Sequence, residues 1–198
     1  LEKMADMMLV LQDQGCPNIN FVTPTHYSPH IVLAVDIAAR KGLHIPLVYN
    51  TCGWEHLDIL KQLEVIVDIY LPDFKYTDVE MANEYSSGAN AYPEHTKKAL
   101  LEMHRQVGDL IIDKTGIAQR GLLIRHLVLP ENLAGTRKIM KFIHDAVSPN
   151  TYVNIMAQYR PSGNAHKTQG LTRAITAEEF RQALQMAKEE GIMRLDRL

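Results

Sequence analysis

The segment Val67-Asp68-Ile69-Tyr70-Leu71-Pro72-Asp73-Phe74-Lys75-Tyr76 is the part of the sequence that is most informative about the fold. Its first half is apolar and rich in residues that favour strands, so it predicts a buried strand. Pro72 has no amide hydrogen to donate, and regular strand pairing should therefore end near it. A carboxylate and an ammonium follow at Asp73 and Lys75. Because side chains two residues apart on a strand point to the same side, both charges should emerge together.

The end of such a strand is a common place for a ligand. Barrels and open sheets of the α/β class bind their ligands at the carboxyl ends of parallel strands. The alternative interpretation of Asp73 and Lys75 is a surface ion pair, which contributes little to stability. These ten residues alone leave both interpretations open.

Strands and helices alternate on both sides of this stretch. The pattern predicts further strands at 18–23, 45–50, 121–130 and 152–157, a small hairpin at 109–119, and helices at 1–14, 30–41, 54–64, 77–86, 93–106, 132–147 and 176–190. Ser28 is expected to cap the second helix, and Thr176 with Glu179 forms a capping box for the last one. Alternating strands and helices predict a parallel sheet covered by helices.

The strand count limits the architecture. About five parallel strands are too few to close an eight-stranded barrel, so the expected fold is α/β: a partial, open (β/α) barrel of the TIM type. No linker or repeat is visible, and residues 1–198 are interpreted as a single domain. Because the chain opens inside a helix without an initiator Met, we expect a fragment of a longer protein.

Composition excludes several classes of protein. The 198 residues are 46% hydrophobic and 22% charged, which is typical of a globular chain. A formal net charge of −2 gives no electrostatic reason to expect nucleic acid or an anionic membrane as a partner. No apolar run approaches the roughly 18 residues that a membrane span needs. The two cysteines, Cys16 and Cys52, form no metal-binding pair and fit a reducing compartment, so a cytoplasmic protein is expected.

Polar groups follow each predicted strand. Since the carboxyl ends of parallel strands meet at one rim, these groups should lie together. Arg125 is the most informative of them because it lies within an apolar strand, where a guanidinium needs an acid or an anionic ligand. It could hold a zwitterionic ligand together with Asn50, Asp73 and Lys75, or it could simply pair with Asp73 or Asp68. The groups at the strand ends are Thr23, Thr25 and His26; Asn50 and Thr51; Asp73 and Lys75; Arg125 and His126; and Gln158, Tyr159 and Arg160.

Five segments resemble the later strands of radical SAM proteins, most closely the branch related to pyruvate formate-lyase activating enzymes. The resemblance implies a partial (β/α)₆ barrel that binds S-adenosylmethionine and a 4Fe-4S cluster, and that generates a 5′-deoxyadenosyl radical for hydrogen abstraction. It also implies a glycyl radical enzyme as a possible protein partner. The segments are NINFVTPTHY from Asn18, LVYNTCG from Leu47, VDIYLPDFKY from Val67, IRHLVLP from Ile124 and VNIMAQYRP from Val153.

The resemblance assigns cofactor-binding residues by position. Asn50 matches the turn after the family's next strand, Asp73 and Lys75 match its D-x-K pair, and Arg125 matches the arginine of its I-R-x-V-V-P strand. Tyr159 falls in the loop that approaches adenine in relatives. The residues expected to bind S-adenosylmethionine are therefore Thr23, Thr25, Asn50, Asp73, Lys75, Arg125 and Tyr159.

The sequence departs from the family pattern in two places. Thr23-Pro24-Thr25 stands where the family has a Gly-Gly-Glu strand exit, so both the glycines and the acid are missing. The CxxxCxxC motif, whose thiolates bind the cluster, is absent, and Cys16 and Cys52 do not replace it. The cluster ligands are thus expected outside this chain, which should be inactive alone. No catalytic residue is assigned.

Two other functions fit the sequence. One is a non-catalytic domain that uses the polar rim to bind a small molecule or a partner. The other is a Schiff-base aldolase in which Lys75 is the nucleophile, because a desolvated lysine beside a cation can form imines. Only the lysine supports the aldolase, and aldolase barrels have eight strands.

Overall fold

The computed structural model describes residues 1–196. Five parallel strands form the sheet in the order β1-β2-β3-β5-β6, and a short antiparallel strand, β4, also pairs with β5. This confirms the predicted α/β class and the partial, open barrel of about five parallel strands. The strands are β1 Ile19–Val22, β2 Leu47–Thr51, β3 Ile69–Pro72, β4 Ile111–Ile112, β5 Ala118–Leu127 and β6 Tyr152–Met156.

The helices follow the strands in the expected alternation. Within residues 1–196, no helix is both long and apolar enough to cross a membrane. A π turn at Ile143–Val147 continues the sixth helix, and short 3₁₀ turns lie at Thr25–Tyr27, Pro130–Asn132 and Gly163–Lys167. The helices are α1 Glu2–Asp13, α2 Ser28–Arg40, α3 Leu57–Gln62, α4 Val79–Tyr85, α5 Tyr92–Val107, α6 Thr136–Phe142 and α7 Ala177–Glu189.

The capping predictions have different outcomes. The capping box of α7 is confirmed: Glu179 N donates to Thr176 Oγ1 at 3.1 Å, and Thr176 N donates to Glu179 Oε2 at 2.7 Å. The prediction for Ser28 is wrong. Ser28 is the first residue of α2, and its hydroxyl lies 3.1 Å from the carbonyl of Thr25 because a 3₁₀ turn precedes the helix.

Two helices begin three or more residues later than predicted, and each has an identifiable cause. α3 begins at Leu57 and not at Trp54, since Glu55 is buried in the preceding loop, where it accepts a hydrogen bond from Thr25, thirty positions earlier. α6 begins at Thr136, because Glu131 and Asn132 have φ angles of 57° and 56°, which no α-helix accommodates. The predicted hairpin is present, but its second arm and the strand predicted at 121–130 are one continuous strand, β5.

The sheet has two different faces. One face packs against the helices and forms the main core, to which Tyr49, Tyr70, Leu122, Ile124 and Val153 contribute buried side chains. The opposite face is apolar near the start of the strands, where Val48 and Ile69 form a smaller cluster with Leu123. Near the carboxyl ends that same face becomes polar. The polar residues there are Asn50 on β2, Asp73 after β3, Arg125 on β5 and Asn154 on β6.

Candidate functional site: the polar rim of the sheet

The centre of the site is the ion pair of Arg125 with Asp73. Arg125 Nε donates to Asp73 Oδ1 at 2.8 Å, and Arg125 Nη2 donates to Asn50 Oδ1 at 2.9 Å. Lys75 Nζ lies 3.9 Å from the other carboxylate oxygen of Asp73. The side chains of Arg125, Asp73 and Lys75 are 28%, 19% and 43% exposed. The four residues expected to meet at one rim therefore do so.

The pairing answers one question that the sequence left open. Arg125 pairs with Asp73 and not with Asp68, whose carboxylate accepts the amide hydrogen of Leu47 at 2.9 Å. Two cations, Arg125 and Lys75, share the single carboxylate of Asp73, so this cluster carries one net positive charge. Such a surplus favours an anionic group on a ligand.

A cavity of about 220 Å³ adjoins the ion pair. Its polar end is formed by Asp73 and Lys75, and the rest of its wall is apolar or aromatic. The hydroxyl of Tyr159 donates to the carbonyl of Leu171 at 2.9 Å, which holds the Tyr159 ring in place. Pockets for drug-sized ligands are roughly 300 Å³ or larger, so this cavity suits a ring-sized part of a ligand. The remaining wall residues are Tyr76, Leu127, Leu129 and Met156.

Buried groups hold the backbone beneath the rim charges. Phe74 N donates to Arg125 O at 2.8 Å, and His126 Nδ1 lies 2.9 Å from Phe74 O. A carbonyl only accepts, so His126 Nδ1 carries the proton, and Nε2 accepts from the hydroxyl of Thr136 at 2.9 Å. Complete burial lowers the pKa of His126 to about 4. His126 is thus neutral and faces away from the rim, on the helix side of the sheet.

In the described part of the chain, no hydrogen bond or ion pair joins the side chains of Thr23 and Thr25 to this cluster, although Thr23 N donates to Asn50 O at 2.8 Å. Thr23 is exposed and has a φ of 52°, and Thr25 Oγ1 donates to Glu55 Oε1 at 2.7 Å. Glu55 is 1% exposed and also accepts from the hydroxyl of Thr51. Neither Thr23 nor Thr25 lines the cavity, and their assignment to a cofactor stays a prediction.

Sequence reasoning missed two polar residues near the rim. Asn154 is the register partner of Arg125 across β5 and β6, and its amide donates to Asp196 at 2.9 Å. Its place in the alternating stretch Tyr152–Met156 was the available signal, because Asn154 and Met156 share a face. Glu55 gave no signal, since a glutamate in a predicted helix is normally a surface residue.

The described residues do not fit an iron–sulfur cluster. Within residues 1–196, no group of three or more His, Cys, Asp and Glu side chains is placed to hold a metal ion. Cys16 lies between α1 and β1 and Cys52 follows β2, so the three thiolates that such a cluster needs are not available here.

No family model matches the chain. An uncharacterised protein of Methanocaldococcus jannaschii is 31% identical over 178 residues, which cover 88% of this chain but only 47% of that protein. The chain thus spans about half the length of this relative.

Two solved structures are similar in three dimensions. One is a domain of a pyruvate-formate lyase-activating enzyme from Bacteroides vulgatus, with a TM-score of 0.60, 12% identity, and coverage of 90% of this chain and 96% of that one. The other is a radical SAM methyltransferase from Sphaerobacter thermophilus, with a TM-score of 0.64, 12% identity, and coverage of 98% of this chain and 55% of that one. The chain therefore shares the fold of these two structures.

Proposed function

We propose that this chain is the barrel portion of a radical SAM enzyme related to pyruvate formate-lyase activating enzymes, and that its rim binds S-adenosylmethionine. The observation that carries the proposal is the convergence of Asn50, Asp73, Lys75 and Arg125 beside a cavity with an aromatic wall. The shared fold supports it.

The chemistry of the rim matches the two ends of this ligand. The surplus positive charge of Arg125 and Lys75 suits the carboxylate of the methionine part, and the carboxylate of Asp73 suits its ammonium. The apolar and aromatic wall beyond them suits the nucleoside part, because flat rings gain from stacking and from burial. Tyr159 belongs to this wall.

The radical chemistry is proposed only for a longer protein. A cluster needs thiolates that residues 1–196 do not provide, so no reaction step is assigned to these residues. Hydrogen abstraction, and a glycyl radical enzyme as the protein partner, belong to the proposal for that longer protein.

Binding is tested by titrating the isotope-labelled chain with S-adenosylmethionine and following the Lys75 amide and the Arg125 Nε–H by NMR. Without the iron chelate, we expect a Kd of roughly millimolar or weaker. Adenosine and methionine, added separately, should shift the resonances of the cavity wall and of the rim charges, respectively. The absence of shifts in this region at the highest soluble concentration would refute the proposal.

The matched variants are Arg125→Ala and Arg40→Ala. Losing a charged hydrogen bond should weaken binding about tenfold or more in Arg125→Ala. Arg40 pairs with Asp36 on the surface of α2, and its variant should bind like the wild type. Equal affinities in both variants would mean that Arg125 serves the fold alone.

The aldolase alternative receives less support. Imine-forming lysines are desolvated, whereas the Lys75 side chain is 43% exposed and lies near a carboxylate. Borohydride trapping with a small aldehyde, followed by peptide mapping, tests it directly. Specific labelling of Lys75 would revive the alternative.

A further inference from the structure

One buried hydroxyl contacts the backbone of both rim charges that follow β3. Lys75 N donates to Tyr92 Oη at 3.0 Å. The same oxygen lies 3.0 Å from the carbonyl of Asp73 and 2.9 Å from the carbonyl of Cys52. Tyr92 is the first residue of α5 and is only 4% exposed. The exits of β2 and β3, meaning the backbone that follows each strand, are therefore both hydrogen-bonded to one atom of α5, the hydroxyl oxygen of Tyr92.

The phenol suits this role chemically. It accepts one hydrogen bond from Lys75 and has one proton to share between the two carbonyls. Burial raises the pKa of Tyr92, so the hydroxyl keeps that proton. The ring packs edge-on against Trp54 and Tyr76, with centroids 6.1 Å and 6.0 Å away, which limits its movement.

The two strand exits also touch each other directly. A Cβ atom on Gly53 would lie 2.3 Å from the carbonyl oxygen of Asp73, a distance that no real side chain permits. Gly53 has a φ of 84°, which glycine adopts without strain. The close approach brings the carbonyls of Cys52 and Asp73 within reach of the same hydroxyl.

The cavity is lined by other residues, so Tyr92 has no place in its wall. We propose that Tyr92 is a positioning residue: by fixing the backbone of Asp73 and Lys75, it sets the directions of their side chains before a ligand binds. The significance of this for a ligand rests on the proposed function. Preorganised groups bind a ligand better, because less conformational entropy is lost on binding. The geometric role of Tyr92 does not depend on the proposed function.

The test compares Tyr92→Phe with Tyr70→Phe. Tyr70 is also a buried tyrosine of the core, but its hydroxyl donates to Gln106 on α5 at 2.7 Å and contacts no rim residue. The measurement is the hydrogen exchange rate of Arg125 Nε–H, which reports the hydrogen bond to Asp73. We expect about tenfold faster exchange in Tyr92→Phe and no change in Tyr70→Phe, since only the first variant removes a hydrogen bond to the Asp73 backbone.

Unchanged exchange of Arg125 Nε–H in folded Tyr92→Phe would overturn the proposal. If that variant does not fold, the Lys75 amide of the wild-type chain decides. This amide lies beyond the last residue of β3, so slow exchange of its hydrogen supports the hydrogen bond to Tyr92. Exchange as fast as in exposed loops refutes that hydrogen bond. A wild-type chain that binds no S-adenosylmethionine would remove the proposed function but leave the exchange results, and the role of Tyr92, unaffected.

Discussion

Arg125 and His126 are adjacent on β5 and face opposite sides of the sheet. Arg125 reaches the rim, where it pairs with Asp73 at 2.8 Å and contacts Asn50. His126 is fully buried on the helix side and holds the carbonyl of Phe74. Strand alternation thus assigns one residue to the candidate site and its neighbour to the support beneath it.

Removing the guanidinium should cost stability as well as ligand affinity. We expect Arg125→Ala to lower the free energy of unfolding by about 1–3 kcal/mol, because Asp73 and Asn50 each lose a donor in a partly buried place. Urea unfolding measures this change. Arg40→Ala, which breaks an exposed pair on α2, should leave the unfolding midpoint unchanged. A similar loss of stability in both variants would contradict the expectation that the Arg125 pair stabilises the fold more than an exposed pair does.

His126 should make stability depend on pH. Its pKa is about 4 in the folded chain and near 6.5 when unfolded, so the unfolded state binds the extra proton between these values. The contribution of this pKa difference to the free energy of unfolding is fully present above pH 6.5. It is lost as the pH falls towards 4, so the free energy of unfolding decreases by up to about 1.4 kcal/mol per pH unit.

The measurement is urea unfolding at several pH values between 7 and 4.5. His126→Asn is the matched variant, since its amide can still donate to Phe74 but does not titrate. The wild type should lose more stability than this variant over that range. Parallel curves would show that His126 is not kept neutral by burial.

At the scale of elements, the sequence predicted the strands better than the helix ends. A buried strand is a local signal, because an apolar run with β-branched residues leaves few alternatives, and β2, β3 and β6 lie where expected. The start of α6 depends on Glu131 and Asn132, which adopt positive φ without being glycines. The start of α3 depends on Glu55, held by Thr25 thirty positions away. No local pattern encodes such contacts.

For the candidate site too, local patterns predicted some residues and could not predict others. Strand parity and the rule that strand ends meet were enough to bring Asn50, Asp73, Lys75 and Arg125 together. They could not identify Tyr92, which lies at the start of a helix and acts through its contacts with backbone atoms distant in sequence. For Asn154, alternation along Tyr152–Met156 indicated the face, but its place opposite Arg125 depends on the register of β5 and β6, which only the structure provides.

The contact between the exits of β2 and β3 can be tested with a pair of glycines. Gly53 and Gly15 have similar φ angles of 84° and 81°, so alanine is strained at both positions. Only at Gly53 would the new Cβ also clash, with the carbonyl of Asp73; nothing lies within 4 Å at Gly15. We expect Gly15→Ala to lose about 1–2 kcal/mol and Gly53→Ala clearly more, by urea unfolding. Equal losses would mean that the two exits can separate freely.

Within the sheet as a whole, β1 is an edge strand. Its inner side pairs with β2, and within residues 1–196 no strand pairs with its outer side. The amides of Ile19 and Thr23 donate to Pro46 and Asn50 at 2.9 Å and 2.8 Å. By alternation, the amides of Asn20 and Val22 point outward.

The backbone amides along β1 should therefore form two sets that differ in their rate of hydrogen exchange. We expect fast exchange at Asn20 and Val22 and slow exchange at Ile19 and Thr23, because only the second pair is bonded within the sheet. NMR of the chain in deuterated buffer measures it. Slow exchange at all four amides would mean that something covers this edge in solution, such as a second copy of the chain.

The continuous course of β5 bears on how the gene can vary. Ten residues run from the hairpin turn at Asp113–Ile117 to the rim, and all but Gln119, where the register with β4 shifts, are registered against a neighbouring strand. Codons gained or lost in the turn change only its length. A single codon gained or lost between Ala118 and Arg125 would instead exchange the faces of Arg125 and His126. The guanidinium would then point into the core and the imidazole towards solvent. Length variation among natural homologues should accordingly be concentrated in the turn and be absent from the strand.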